Sequence, residues 1–426
     1  MKRFVLLALL VCTLFITTLA GAEETTAGSV PDVYSIQDDR EDIDVTNLNT
    51  SFDQVFLTFI HAQNEKENYI ISPLSFRAAL ILAEEGADAS TRAQLLDAMG
   101  FASEEEMLQW YAVVRESVEL FDEWVDRQEQ IAKEEAEFYP PGEAPEVPVH
   151  AYRVLNSVWN NADSFGAFLP DYTRSVEERY GATADCVPAD RITDAINHWC
   201  DEATAGLIPK ISDDLSSCAA ALINAVYLKT SWVDEFSKYM TEPEDYTDID
   251  GNVARRDMMK AKDCYRYYED KDTKLISIPL NGGLTFIAVL GDDSNWMADY
   301  DAAKYTDVDL WLPKLDTEST FGKETLIQYL IDRGAVDAFD ASNADFSRMA
   351  DYPWYISDIL QKAKIKTDEE GLEAAAVTMI AMVEGAPLEL KEPQYREFHA
   401  NEPFRYYIVT TGTQTPLVVF AGQEAK

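Results

Sequence analysis

The stretch from Ile365 to Leu388 constrains the fold more than any other part of the chain. An acidic run ends at Gly371, small and β-capable residues follow without a break, and Gly385-Ala386-Pro387 closes the stretch. A run without an internal proline suits a strand inside a closed sheet. The stretch is therefore either a buried element or a loop that can become one. A buried helix over residues 372–383 is a further interpretation, because Leu-Glu-Ala-Ala-Ala has high helix propensity.

Residues after Gly371 alternate as a half-buried strand requires, since successive side chains of a strand point to opposite faces. One face would take the inward-pointing residues Leu372, Ala374, Ala376, Thr378 and Ile380. The other face would take Glu373, Ala375, Val377 and Met379, so the one charge falls on the outward face. Gly371 would provide a backbone pivot before this run.

The first 22 residues are organised like a secretory signal peptide. Lys2 and Arg3 precede an apolar run, and Ala20-Gly21-Ala22 fits a cleavage site. The alternative is a membrane anchor, but the run is short for a span. We therefore expect a secreted, extracellular protein without stable membrane association after signal removal. Residues 23–47 are polar and acidic and predict a flexible lead-in.

Helical and strand patterns are mixed from residue 48 to residue 426, with no repeat of fixed period and no clear linker. Residues 52–60 have the spacing of an amphipathic helix, and residues 192–203 predict another. The nearly continuous apolar run from Ala219 to Leu228 suits a central strand buried on both faces. Residues 275–290 predict a hairpin around Asn281-Gly282-Gly283. We expect one α+β domain, with a surface loop over residues 139–148.

The chain has 77 acidic and 35 basic side chains, for a net charge of −42. A phosphate backbone repels such a chain, so nucleic acid and heparin-like polyanions are not expected partners. After the signal, the cysteines are Cys186, Cys200, Cys218 and Cys264, whose spacing fits no zinc pattern. We expect mostly buried free thiols, with disulfides as the alternative, and no metal or cofactor.

Common catalytic motifs do not occur in the sequence, including H-E-x-x-H, G-x-S-x-G and the phosphate-binding glycine patterns. The histidines, His61, His150, His198 and His399, are far apart. A catalytic triad can assemble from distant residues, so this spacing alone does not exclude one. We nevertheless expect a protein that is not an enzyme.

Several short motifs, spread in order over roughly residues 48–424, resemble the serpin family. They are Asn68-x-x-x-Ser72-Pro73-x-Ser75, Leu222-Ile-Asn224-Ala-Val-Tyr-Leu-Lys229-x-x-Trp232, Leu312-Pro313-Lys314, Ala344-Asp-Phe-Ser347, Tyr355-Ile-Ser-Asp-x-x-x-Lys362-Ala363, Glu369-Glu370-Gly371-x-Glu373-Ala374-Ala375-Ala376, Asn401-x-Pro403-Phe404 and Pro416-Leu417-x-x-Phe420-x-Gly422. Each motif alone is weak, but together and in register they are specific. With these motifs the helix interpretation of residues 372–383 becomes the minor one.

The resemblance implies an α+β fold of three β-sheets with eight or nine α-helices, and an exposed reactive-centre loop at about residues 371–397. It also implies suicide inhibition of a serine protease, or in some members of a cysteine protease. The protease attacks the loop and forms a covalent acyl complex, and the cleaved loop inserts into the large sheet before water releases the enzyme. We expect a monomer.

A non-inhibitory serpin acting as a binding or carrier module is the alternative. The family usually has threonine or another small residue after the hinge glycine, where this chain has Leu372. A larger inward side chain there could slow insertion. The loop is also several residues longer than is typical of the family.

The resemblance places the hinge at Glu369, Gly371, Leu372, Glu373, Ala374, Ala375, Ala376, Val377 and Thr378. Gly385 is the fifteenth residue counted from Gly371, which puts the reactive bond between Gly385 and Ala386. Counting back from Pro403 lands near Glu392 instead. We prefer the count from the hinge because insertion constrains that side, and cuts at Met382, Val383 or Glu384 stay open. No Arg or Lys lies between residues 371 and 390, which favours elastase-like or subtilisin-like targets.

The resemblance finally implies a sheet-opening polar network of Ser72, Ser75, Asn224 and Gln361. The family often has a histidine at the position of Gln361. Glutamine both donates and accepts hydrogen bonds, so the network is expected to persist. Opening that depends on pH through this residue is expected to be absent.

Overall fold

The computed structural model describes residues 50–140, 148–165, 167–216, 220–372 and 394–426. All of them fall in one compact unit, Ile43–Lys426. The predicted signal peptide and lead-in, most of the predicted 139–148 loop, Cys218 and residues 373–393 of the predicted reactive-centre loop lie outside the described residues. Within those described ranges, no helix is both long and apolar enough to cross a membrane.

The described residues form nine α-helices and fifteen β-strands. The helices are α1 Thr50–Gln63, α2 Pro73–Gly86, α3 Ala89–Ala98, α4 Glu104–Ala136, α5 Ala162–Phe165, α6 Pro170–Tyr180, α7 Ala189–Ala203, α8 Trp296–Ala302 and α9 Lys323–Asp332. The strands are β1 Tyr69–Ile71, β2 Ala151–Asn161, β3 Thr183–Val187, β4 Ala220–Ser231, β5 Glu242–Thr247, β6 Val253–Glu269, β7 Thr273–Leu280, β8 Leu284–Gly291, β9 Lys304–Pro313, β10 Asp316–Phe321, β11 Asp358–Lys366, β12 Gly371–Leu372, β13 Arg396–His399, β14 Phe404–Thr410 and β15 Val418–Glu424.

A six-stranded sheet has the order β10-β11-β4-β2-β3, with β12 beside the end of β4. The predicted central strand is β4, which pairs antiparallel with β2 along most of its length. Its parallel pairing with β11 covers only residues 221–224 against residues 358–361. Its pairing with β12 begins at Thr230. Residues 225–229 of β4 therefore lie between two separate pairings on the same edge.

The second sheet has nine strands, in the order β1-β15-β14-β8-β7-β6-β9-β13, with β5 against β6. The long strand β6 pairs with β9 over residues 258–267 and with β7 over residues 266–269. It thereby joins two halves of one hydrogen-bonded sheet. The six-stranded sheet and these two halves account for the three sheets that the resemblance implies, so the predicted α+β fold is confirmed.

Helix α2 lies at the centre of the molecule, and all of its residues are buried. It contacts β4, β2 and β15, so it packs beneath the six-stranded sheet and against the other sheet. Ser72 caps the helix by accepting a hydrogen bond from the Ser75 backbone nitrogen at 3.1 Å, and Pro73 occupies the first turn. The Ser-Pro-x-Ser motif therefore fixes where the central helix begins.

Cys186, Cys200 and Cys264 are free cysteines. Cys200 is buried, which raises the pKa of its thiol to about 12. Cys186 is half-buried, but Cys264 is exposed on β6. The expectation of mostly buried thiols is therefore wrong for Cys264.

Candidate functional site

The predicted hinge begins as a strand inside the six-stranded sheet. After β11 ends at Lys366, the Asp368 carboxylate accepts hydrogen bonds from the backbone nitrogens of Glu370 and Gly371, at 2.9 and 3.2 Å. The chain then turns back as β12, with Gly371 opposite Ser231 and Leu372 opposite Thr230 in antiparallel pairing with β4. Because Leu372 lies in a strand, the helix interpretation is wrong at its first residue.

Gly371 lies so close to β4 that a side chain would not fit. A Cβ atom built on Gly371 would lie 2.2 Å from the Thr230 carbonyl oxygen and 2.5 Å from the Ser231 Cα. Gly371 is not among the glycines with positive φ. Close approach to a neighbouring backbone is thus the reason for glycine here, rather than the conformational freedom that the sequence suggested.

We predict that Gly371→Ala destabilises the protein, because the added methyl group forces β12 away from β4. Overpacking of this kind costs about 1–3 kcal/mol, measurable as a loss of unfolding free energy in urea. Gly412→Ala is the matched control, since the nearest atom to a Cβ at Gly412 is 3.6 Å away, in Leu120. Equal effects of the two substitutions would show that the approach of β12 to β4 is not tight.

Leu372 is 3% exposed, and its side chain belongs to an apolar cluster with Leu228, Ile365, Ile408 and Phe420. It points into the core, on the face that alternation assigns to it. A small cavity beside Leu372 is lined by these residues and by Leu207, Lys364 and Lys366. The leucine is thus already seated in the sheet.

Two glutamates before the turn are held by side chains from distant parts of the chain. The Glu369 carboxylate is 2.8 Å from the Lys314 ammonium and accepts a hydrogen bond from the Thr241 hydroxyl at 2.7 Å. Glu370 pairs with Lys238. Burial alone would raise the pKa of Glu369, but the hydrogen bonds from Lys314 and Thr241 outweigh it and hold that pKa below its ordinary value. We call Glu369, Glu370, Lys314, Lys238 and Thr241 the hinge anchor.

Backbone hydrogen bonds reinforce the hinge anchor. The backbone nitrogens of Trp232 and Phe236 donate to the carbonyl oxygens of Glu370 and Glu369, at 3.0 and 2.8 Å. The Trp232 indole nitrogen donates to the Asp368 carbonyl oxygen at 2.9 Å. The loop after β4 and the turn before β12 therefore form one hydrogen-bonded unit.

The structure brings Ser72, Ser75, Asn224 and Gln361 together beneath the six-stranded sheet, all of them buried. The Gln361 amide nitrogen donates to the Ser72 carbonyl oxygen at 2.9 Å and to the Asn224 side-chain oxygen at 3.1 Å. The Ser72 backbone nitrogen donates to the Gln361 side-chain oxygen at 3.2 Å. Asn224 in turn donates to the Ser75 carbonyl oxygen at 2.7 Å. The glutamine thus both donates and accepts, which ties the start of α2 to β4 and β11.

The network has a member that the sequence did not identify, Asn156 of β2. Its side-chain oxygen accepts a hydrogen bond from Asn224, and it is 3% exposed. The sequence signal that could have identified Asn156 is a polar residue at a buried position of a strand. Such a residue needs a hydrogen-bond partner, since buried polar groups are almost always hydrogen-bonded.

Several predicted site residues lie outside the described residues. They are the reactive-bond residues Gly385 and Ala386, the alternatives Met382, Val383 and Glu384, and the hinge residues Glu373, Ala374, Ala375, Ala376, Val377 and Thr378. Their roles stay predictions.

A separate cavity of about 530 Å³ lies where α1, the start of α8 and strands β14 and β15 meet. Leu57, Trp296 and Met297 line it, and the Trp296 ring stacks on Tyr407 with centroids 4.0 Å apart. Asp293 accepts from the Arg405 guanidinium and from the Tyr407 hydroxyl. Burial and the nearby Arg405 lower the pKa of His61. The cavity combines an apolar wall with a few polar groups, a composition typical of small-molecule sites.

In the part of the chain that the structure describes, no group of three or more His, Cys, Asp or Glu side chains could hold a metal ion.

A family model described as Serpin (serine protease inhibitor) matches residues 47–424. A serpin-like protein of Methanosarcina acetivorans is 28% identical, over 97% of this chain and 95% of the relative. Leukocyte elastase inhibitor A of Mus musculus is 26% identical, over 89% of this chain and 98% of the relative.

Solved structures show the same fold. Thyroxine-binding globulin in complex with thyroxine has a TM-score of 0.71 at 18% identity, over 89% of this chain and 98% of that chain. Tengpin, a thermophilic serpin in its native state, has a TM-score of 0.67 at 24% identity, over 95% of this chain and 97% of that chain.

Proposed function

This chain belongs to the serpin family of protease inhibitors, and we propose that it is an exported inhibitory member that traps a serine protease as a covalent acyl complex. The observation that carries the proposal is β12. The first two residues of the loop already pair with β4, antiparallel, at the place where a new strand would enter between β4 and β11. The hinge is thus positioned to extend into the sheet.

The register of β12 specifies what each further residue would meet. Paired residues on neighbouring antiparallel strands share a face. Continuing the register places Ala374 opposite Leu228, Ala376 opposite Val226 and Thr378 opposite Asn224. Leu228 and Val226 belong to the same apolar cluster as Leu372, so the small loop residues would point into the core.

The same register gives the outward-facing Glu373 a partner of opposite charge. It also matches the length of the inserting segment to the length of β4. Glu373 would lie opposite Lys229, and opposite charges on facing residues stabilise a sheet. Met382 would lie opposite Ala220, the first residue of β4. The segment from Gly371 to Met382 is therefore as long as β4, and it ends just before the proposed reactive bond.

Insertion to that depth requires β11 and β4 to separate. The incoming strand would separate residues 358–361 of β11 from residues 221–224 of β4. It would also break the hydrogen bond from Gln361 to Asn224. Each hydrogen bond contributes a net of only about 1 kcal/mol, whereas a full central strand gains pairing on both edges. The uncleaved loop therefore holds the sheet in a state of higher free energy than the cleaved one.

The proposed reaction begins when the protease serine attacks the Gly385 carbonyl carbon. The Gly385–Ala386 bond breaks, the new amino terminus at Ala386 leaves with a proton, and Gly385 stays bound to the serine as an ester. Insertion then moves the ester with the enzyme attached before water can hydrolyse it. The small and apolar residues before the bond suit elastase-like or subtilisin-like pockets, and the name of the mouse relative, a leukocyte elastase inhibitor, supports this choice.

Incubation with a panel of serine proteases, and one cysteine protease, tests the proposal. We expect a complex that resists SDS with an elastase-like or subtilisin-like enzyme, and a released fragment that begins at Ala386 by mass spectrometry. A protease whose catalytic serine is replaced by alanine should give no such complex. Clean cleavage by every protease, with no complex, would contradict inhibition.

A second candidate function, as a carrier of small molecules, is favoured by the cavity near Trp296. Thyroxine-binding globulin, which shares the fold, is solved in complex with thyroxine. Titration with thyroxine, followed by tryptophan emission, would show saturable quenching that Trp296→Phe reduces if the cavity binds such a ligand. A melt before and after loop cleavage separates the two functions, because a large stabilisation on cleavage is expected only of an inhibitory serpin.

A further inference from the structure

The loop between β4 and β5, residues 233–241, exposes an unusual amount of apolar surface. Val233 is 52% exposed, Tyr239 is 88% exposed and Met240 is 49% exposed. Thirteen large apolar side chains are exposed in the described residues, and three of them fall in this short loop. Such clustering of exposed apolar side chains marks interaction sites.

Buried aromatic side chains and bonds to the hinge anchor hold the β4–β5 loop in place. Trp232 and Phe236 are buried and pack edge to face, with ring centroids 5.6 Å apart. The Phe236 backbone and the Thr241 side chain bind Glu369, and Lys238 pairs with Glu370. The backbone at Met240 closes a turn onto the Ser237 carbonyl oxygen at 2.8 Å. The three exposed side chains are therefore presented by a rigid base, which reduces the entropy lost on binding.

This base is also the base of the reactive-centre loop. The hinge anchor that positions Gly371 and Leu372 is built partly from the β4–β5 loop itself. From Leu372 to Gly385 there are thirteen residues, which span at most about 45 Å when fully extended. A protease bound at Gly385 is thus tethered within about 45 Å of Leu372, whose anchor is built partly from the β4–β5 loop.

The acidic side chains of the β4–β5 loop indicate the charge of the partner surface that it would bind. Asp234 and Glu235 are exposed beside the apolar side chains, and Lys238, the basic residue of the loop, is engaged with Glu370. The chain as a whole carries a net charge of −42. An apolar centre with an acidic rim fits a partner surface that is apolar with a basic rim.

We propose that Val233, Tyr239 and Met240 form a secondary docking surface for the target protease, which the enzyme contacts while it is bound at the reactive-centre loop. The inference rests on the proposed inhibitory function. The surface accelerates the encounter and does not take part in strand insertion. It therefore acts on the rate at which the complex forms, and not on the fraction of the protein that forms it.

The test compares Tyr239→Ser and the double variant Tyr239→Ser/Met240→Ser with Tyr352→Ser, whose tyrosine is 60% exposed in another loop. The measured quantities are the second-order rate of inhibition of the protease trapped by the parent protein, the molar ratio needed for full inhibition, and the melting temperature. We expect the double variant to lose about tenfold in rate, with the ratio and the melting temperature unchanged, and Tyr352→Ser to match the parent. Asp234→Asn should lower the rate less and weaken its salt dependence.

The outcomes separate this inference from the function on which it rests. Absence of any complex from the parent protein would overturn both. Normal complex formation at the parent rate in the double variant, or an equal loss in Tyr352→Ser, would overturn the docking surface alone. A dimer of the parent that Tyr239→Ser dissociates would assign the surface to a second copy of the chain, and so would also overturn it.

Discussion

Ala374→Arg is expected to abolish the covalent complex and to leave the loop cleaved as an ordinary substrate. In the proposed inserted state, the register of β12 continued by two residues would put residue 374 opposite Leu228, which belongs to the same apolar cluster as Leu372. An arginine there would bury an unpaired cation, which costs roughly 3–5 kcal/mol. Insertion would stall after Leu372, so water would have time to hydrolyse the ester.

Ala375→Arg is the matched control, because the continued register would put the same side chain one residue further along, opposite Tyr227 on the other face of the sheet. The yield of SDS-resistant complex should fall at least tenfold for Ala374→Arg and stay close to the parent value for Ala375→Arg. Cleaved Ala374→Arg should also lack the gain in melting temperature that cleavage gives the parent. Equal behaviour of the two variants would contradict the register.

Glu369→Lys is expected to release the hinge from the sheet. The carboxylate is 5% exposed and is bound by Lys314 and Thr241. Reversing its charge would place two cations side by side, and because the Lys314 side chain is 37% exposed, the cost is roughly 2 kcal/mol, below that of breaking a fully buried pair. The unfolding free energy in urea should fall by this amount. With β12 released, β4 would present an open edge, so we also expect association of the protein with itself.

Two further variants make this prediction specific. Glu369→Lys/Lys314→Glu restores opposite charges and should recover part of the lost stability. Glu129→Lys disrupts an exposed pair with Lys133 and should change stability by less than about 0.5 kcal/mol. If the exchange variant is no more stable than Glu369→Lys, the ion pair is not what holds the hinge.

The dependence of unfolding free energy on pH should reveal the interaction of Glu369 with Lys314 and Thr241. The pKa of Glu369 is lowered in the folded protein from its ordinary value of 4.5. Its contribution to stability is therefore present above pH 4.5 and is lost as the pH falls through the lowered pKa. Glu369→Gln should flatten that part of the stability curve.

Predictions from sequence succeeded where one local pattern determines one element. The apolar run at residues 219–228 predicted β4, and Asn281-Gly282-Gly283 predicted the hairpin of β7 and β8, in which both glycines have positive φ. The seventeen residues of β6 gave no such pattern, because charged residues occupy both of its faces.

The site was predictable in its members but not in all of its contacts. Ser72, Ser75 and Asn224 lie in family motifs, and Gln361 occupies the position where the family often has histidine, whereas Asn156 lies in no such motif. Glycine at 371 is explained by the Thr230 carbonyl oxygen, which is distant in the chain and adjacent only in the sheet. Thr241 and Lys238 likewise reach the hinge only through the path of the β4–β5 loop. Contacts between residues far apart in the chain depend on tertiary structure and produce no periodic pattern in the sequence.

The length of β4 has a mechanical consequence. Two of its twelve residues already pair with β12, so ten remain, and they span roughly 33 Å of extended chain. This is the longest stroke over which each step of the incoming strand would find a pairing partner. The length of β4 would therefore limit how far the cleaved end moves while the incoming strand stays paired. Removing residues between Thr378 and Gly385 would put the ester under greater tension at the end of the stroke, and adding residues would leave it slack. In the proposed mechanism, loop length would therefore determine the force on the trapped enzyme.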